Sequence, residues 1–88
     1  MLYARTNDLS KLLCLSPAII RNLVGRYEFE RDVKQSKSPI ICNKANQDKL
    51  IQSLTELTDR AFNMNRHYWK YKNALDIMKA QKWNNEQV

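Results

Sequence analysis

Glycine and proline are almost missing from this chain: Gly25 is the only glycine, and Pro17 and Pro39 are the only prolines. That scarcity of chain breakers excludes collagen-like and linker-rich architectures and predicts long regular elements. Two cysteines, with no secretory leader among the polar opening residues, argue against a disulfide scaffold. They point instead to the cytoplasm and free thiols. No apolar run approaches membrane length, so no membrane partner is expected. Histidine occurs once, as His67, and there is no nucleophile elbow, acidic pair, glycine-rich phosphate loop or Cys-x-x-Cys beside it. The chain is therefore expected not to be an enzyme, and to need no cofactor and no metal. Cys14, Cys42 and His67 lie on three distant segments without ligand spacing. Both cysteines read as small buried apolar residues.

What is present suits a small folded domain with a polyanionic partner. Hydrophobic residues make up 43% of the 88, too many for a disordered segment, and the net charge is +6. At this size one core is marginal without help from a metal, a disulfide or a partner chain.

The stretch around which the chain is organised runs from Asp8 to Gly25. Leu9, Leu12 and Leu13 fall at i, i+3, i+4, the face of a first helix, which is capped by Thr6 or Asn7 and ends near Leu13. Cys14 and Leu15 make a turn. Ser16 then offers an N-cap oxygen, and Pro17 takes the first helical position, where its missing N–H is harmless. Ile20, Leu23 and Val24 repeat the apolar spacing over a second helix, 17–24. Gly25 stands where helices commonly end in a left-handed residue. Two short helices joined by a tight turn form a helix-turn-helix, which places its second helix in the DNA major groove.

The segment Leu9-Ser10-Lys11-Leu12-Leu13-Cys14-Leu15-Ser16-Pro17-Ala18-Ile19-Ile20-Arg21 resembles the helix-turn-helix of MerR-type winged-helix proteins. There Leu-Ala-x-Leu-x-x-Val-Ser-x-x-Thr-Ile-Arg is typical, and the wider group includes excisionases and small terminase subunits. The resemblance covers roughly the first half of the chain and implies a DNA backbone contact for Arg21. Cys14 stands where the family turns on Gly, and Ile19 replaces the usual Thr, so base contacts do not carry over there. MerR-type metal sensors place thiolates beyond the dimerisation helix, and neither cysteine here matches such a position.

After Gly25 the run from Arg26 to Val33 alternates polar and apolar residues, with Tyr27, Phe29 and Val33 nearly in phase, as in a half-buried strand. Polar residues 34–38 and the short apolar run 39–42 complete a β-hairpin with a cationic tip, a wing. Read without its neighbour, the same stretch is a solvated loop.

Asn43 or Asn46 then caps a long helix without Gly or Pro. Leu50, Leu54, Leu57, Ala61, Met64, Tyr68, Tyr71, Leu75 and Met78 are separated by alternating steps of four and three, a heptad register. A helix over 47–83 would be roughly 55 Å long, so the seam needs cover from elsewhere, most simply a second copy. Ile51, Phe62, Trp69, Ile77 and Trp83 lie off that seam. Ile51 and Phe62 are read as packing back on the winged domain, and the others as widening a dimer. The alternative is a break near 63–65 and a fold-back hairpin. Arg60, Arg66, Lys70, Lys72, Lys79 and Lys82 stud the same helix, either as a nucleic-acid surface or as the solvated side of an interaction helix.

The expected fold class is mainly α with a small β-hairpin wing: a winged helix-turn-helix over 1–45 and a long heptad-patterned helix over 46–88. The expected function is sequence-specific binding of double-stranded DNA by a dimeric transcriptional regulator. Helix 17–24 would read the major groove and wing 34–37 would grip the backbone or minor groove. Expected DNA-binding residues are Lys11, Ser16, Pro17, Ala18, Ile19, Arg21, Asn22, Arg26, Arg31, Lys34 and Lys37. Within that set Ser16 doubles as a cap and Ile19 as a core residue. The alternatives are a phage or plasmid DNA-architecture factor and a coiled-coil protein-interaction module.

Overall fold

A computed structural model describes residues 2–31, 39–64 and 66–83. Within them the order is β1 (Tyr3–Ala4), α1 (Thr6–Leu13), α2 (Pro17–Gly25), β2 (Ile40–Ile41), α3 (Lys44–Met64) and α4 (Tyr68–Ala80). Helix α1 starts one turn position earlier than Thr6 or Asn7 would cap it. Arg5 is the N-cap residue, and its backbone N–H donates to the Asp8 carboxylate at 3.0 Å. An acid at the third helical position thus meets an orphan donor and the positive helix end together.

Cys14 closes α1 in the left-handed conformation, with φ 56° and ψ 41°. Its side chain is exposed, not buried as the sequence suggested, because a left-handed cap points outward from the turn. The Ser10 hydroxyl donates to the Leu15 carbonyl across the same turn, and Leu15 is buried. Ser16 caps α2 by accepting from the Ile19 N–H at 3.3 Å, with Pro17 following. Gly25, however, is helical and not left-handed. Helix α2 ends instead at Arg26, whose N–H donates to the Leu23 carbonyl. The Ser53 hydroxyl of α3 donates to the same carbonyl at 3.2 Å, so the helix end is satisfied from outside and needs no glycine cap.

The expected strand over 26–33 is shorter than its alternation suggests. Tyr27 and Phe29 face inward from an irregular segment, and among the described residues pairing begins only at Arg31, bridged to Ile40. The Ile41 N–H donates to the Glu30 carbonyl at 2.9 Å. On its other edge β2 pairs antiparallel with β1, Tyr3 opposite Ile41 and Ala4 opposite Ile40. The base of a hairpin is therefore present, with the chain's opening strand added to it. Its tip, including Lys34 and Lys37, lies outside the described residues.

The single long helix is replaced by two. Helix α3 ends at Met64, His67 takes a left-handed conformation (φ 56°), and α4 turns back against α3. The heptad seam is covered within the chain: Leu50, Leu54, Ala61, Leu75 and Met78 are buried. Leu57, Tyr68 and Tyr71 are half-buried, and Met64 alone is exposed. An antiparallel hairpin buries the same face of each helix that a coiled coil would, so one pattern serves both. Ile51 does pack on the core, but Phe62 is exposed, and Trp83 is buried in this chain's core and does not widen an interface.

Helix α4 also packs on α1, and α3 on α2, so one apolar cluster draws Leu9, Leu13, Ile20 and Leu23 together with Leu50, Leu54, Ala74 and Met78. The two expected parts, 1–45 and 46–88, thus share a core. No helix is long and apolar enough to cross a membrane among the described residues.

Candidate nucleic-acid interface

Burial of Ile20, Leu23 and Val24 fixes how α2 is rotated. At 3.6 residues per turn, Ala18, Arg21, Asn22 and Gly25 then share an outward arc of about 100°. All four are exposed, as is Pro17 at the helix start. Lys11 is exposed on α1. No ion pair holds Lys11 or Arg21 among the described residues. Arg21 and Asn22 therefore offer donors outward with no internal competitor. Ser16 accepts the Ile19 N–H in its cap bond, which leaves its own hydroxyl proton available, and Ile19 is half-buried against the core.

Arg26 does not join that outward set. It pairs with Glu56 of α3 at 2.8 Å, and the Tyr27 hydroxyl donates to the other Glu56 oxygen, also at 2.8 Å. The two hydrogen bonds, Tyr27 first and Arg26 second, hold the Glu56 carboxyl below the usual carboxylate range. The same bond pushes the Tyr27 phenol upward. This clamp ties the end of α2 to α3, and it gives Arg26 a structural partner. Beside it a small cleft of about 100 Å³ is lined by Ile19, Asn22, Leu57, Arg60 and Tyr71 among others. Asn22 thus sits at the rim between the outward arc and the groove toward α3 and α4.

Arg31 lies at the hairpin base, half-buried. The base is pinned by a side chain that motif reasoning passed over as one of two candidate caps. Asn46 is fully buried; its amide donates to the carbonyls of Glu30 (2.9 Å) and Ile41 (2.6 Å), and its oxygen accepts the Glu30 N–H at 3.0 Å. Asn43 is the helix cap, accepting the Asn46 N–H at 2.8 Å. Gln47, also buried, donates to the carbonyls of Met78 (3.0 Å) and Gln81 at the end of α4. A signal for two of these existed. Asn43 and Gln47 each stand seven residues before Leu50 and Leu54, so the seam continues into polar side chains that must find partners when buried. Ser53 and Glu56 had no comparable mark.

Cys42 is buried and its thiol is pushed up by desolvation, while Cys14 is exposed; neither forms a disulfide. No group of three or more His, Cys, Asp or Glu is placed to hold a metal among the described residues. Comparison with known protein families, characterised proteins and solved structures gives no match to this chain.

Proposed function

We propose that this chain is a sequence-specific duplex-DNA-binding protein that acts as a transcriptional regulator, reading the major groove with α2. The observation that carries the reading is the outward arc of α2, with Arg21 and Asn22 free of internal partners on a helix whose opposite face is locked into the core. Lys11 supplies a backbone contact from α1, and the segment between Arg31 and Ile40, two residues that bridge to each other, serves as the wing. The left-handed turn at Cys14, where MerR-type proteins place Gly, agrees with that resemblance. The net charge of +6 favours a polyanion. Dimerisation through the heptad seam is not part of the proposal, because Leu50, Leu54, Ala61, Leu75 and Met78 are consumed by the α3–α4 hairpin. For the same reason the coiled-coil module is the weaker alternative. A DNA-architecture factor uses the same α2 face and differs by bending DNA and binding cooperatively at several sites.

The test is fluorescence anisotropy with duplex from upstream of the chain's own coding region and with scrambled duplex, across a salt series. Arg21→Ala with Asn22→Ala is expected to weaken binding through the lost Arg21 backbone contact, and to reduce the preference for the specific duplex by about 1–3 kcal/mol through the lost Asn22 base contact. A double variant that keeps both affinity and preference overturns the assignment of α2.

A further inference from the structure

Three of the exposed large hydrophobic side chains, Phe62, Met64 and Trp69, gather at the turn between α3 and α4. Phe62 is 68% and Trp69 73% exposed, against 8% for Trp83. They are not loose. Tyr68, half-buried, holds an edge-to-face contact with Phe62 on one side (centroids 5.5 Å apart) and with Trp69 on the other (5.1 Å). Edge-to-face packing leaves ring faces open, and an open depression of about 560 Å³ runs between Phe62, His67, Tyr68, Trp69 and Lys70. Covering two such rings with water costs free energy, so the patch is an unusual thing to leave bare.

Its surroundings are cationic. Residues 60–75 contain no Asp or Glu and carry Arg60, Arg66, Lys70 and Lys72. Lys72 is paired with Asp76, but no ion pair holds Arg60, Arg66 or Lys70 among the described residues. A second copy docked face to face on this patch would set those cations against their own images. Duplex DNA does not match either, because its bases are stacked and offer no face to a ring. Unstacked bases do, and their phosphates answer Arg66 and Lys70, the cations that flank the rings along 66–70.

We infer that the α3–α4 turn is a binding site for single-stranded nucleic acid, with bases stacking on Trp69 and Phe62 and phosphates meeting Arg66 and Lys70. The site is separate from the outward arc of α2 and uses none of its residues. Stacking on a ring is tolerant of base identity, so the site is expected to hold a few nucleotides without marked sequence preference.

An oligothymidylate of about twelve nucleotides, long enough for such a site, tests this by anisotropy and by intrinsic tryptophan emission at low salt. Saturable binding is expected to quench the exposed Trp69, while Trp83 stays shielded in the core. Trp69→Ala should weaken binding about tenfold and remove the quench. Arg66→Glu with Lys70→Glu should weaken it further at low salt and flatten the salt dependence. Arg21→Ala with Asn22→Ala should leave it unchanged, so the fate of this site and that of the α2 reading are read separately. Oligothymidylate affinity that survives Trp69→Ala, or that falls in the α2 variant instead, overturns the inference. Absence of saturable quenching at low salt also overturns it.

Discussion

The molecule contains two helix pairs, and each turns through a non-glycine residue in the left-handed conformation: Cys14 between α1 and α2, His67 between α3 and α4. Beyond that likeness the pairs are opposites. In the first, α2 buries its large apolar side chains and leaves Arg21 and Asn22 outward among small residues. In the second, the polar side chains go inward. Asn46 and Gln47 are buried and satisfied, while Phe62, Met64 and Trp69 stand in solvent at the turn. Side-chain type alone therefore does not say which way a face points. The core decides, and residues left over on the outside are the ones available for a partner.

The sharpest way to break the comparison is to ask whether the pairs are separate units. Leu54 is fully buried in α3 and belongs to the same cluster as Leu9 and Leu23. Leu54→Ala is expected to destabilise the chain by about 2–5 kcal/mol. Because the core is shared, one cooperative transition should shift as a whole, by far-UV and by near-UV circular dichroism alike. Two resolved transitions, with α1 and α2 unfolding at the original midpoint, would show that the pairs are independent after all.

The smallest expected effect tests the likeness itself. A left-handed L residue costs roughly 1–2 kcal/mol, and Gly removes that cost while adding about 0.5–1 kcal/mol of unfolded-state entropy. Cys14→Gly and His67→Gly should each stabilise the fold by about 1 kcal/mol or less, read as a rise in the denaturant midpoint. A clear loss in one variant alone would mean that its turn depends on the side chain and not on the backbone.

The two turns also differed in how visible they were beforehand. Around Cys14 the chain carries several signals at fixed spacing: Ser16 as cap, Pro17 at the first helical position, and apolar triads on both sides. Those are local chemistry, and the structure reproduces α1 and α2 within a residue or two. Around His67 there is no Gly or Pro, and the heptad steps run straight across the break from Met64 to Tyr68. An antiparallel hairpin and a continuous coil ask the same of that pattern, so the break stood only as an alternative. Gly25 misled in the other direction. It carries the composition of a helix stop, but Ser53 comes from 28 positions away (25 to 53) to satisfy the carbonyl that a left-handed glycine would otherwise serve. Of the candidate site, the exposure of Ala18, Arg21 and Asn22 followed from helical period alone. The diversion of Arg26 to Glu56 did not, since it joins residues thirty apart in the chain.

Amide NMR of the nitrogen-labelled chain, titrated with the upstream duplex, tests the central claim most directly. The account predicts that the shifts concentrate on Lys11, Ala18, Arg21, Asn22 and Gly25, with the amides of 66–70 nearly unmoved. Shifts confined to the α3–α4 turn, with α2 silent, would contradict it.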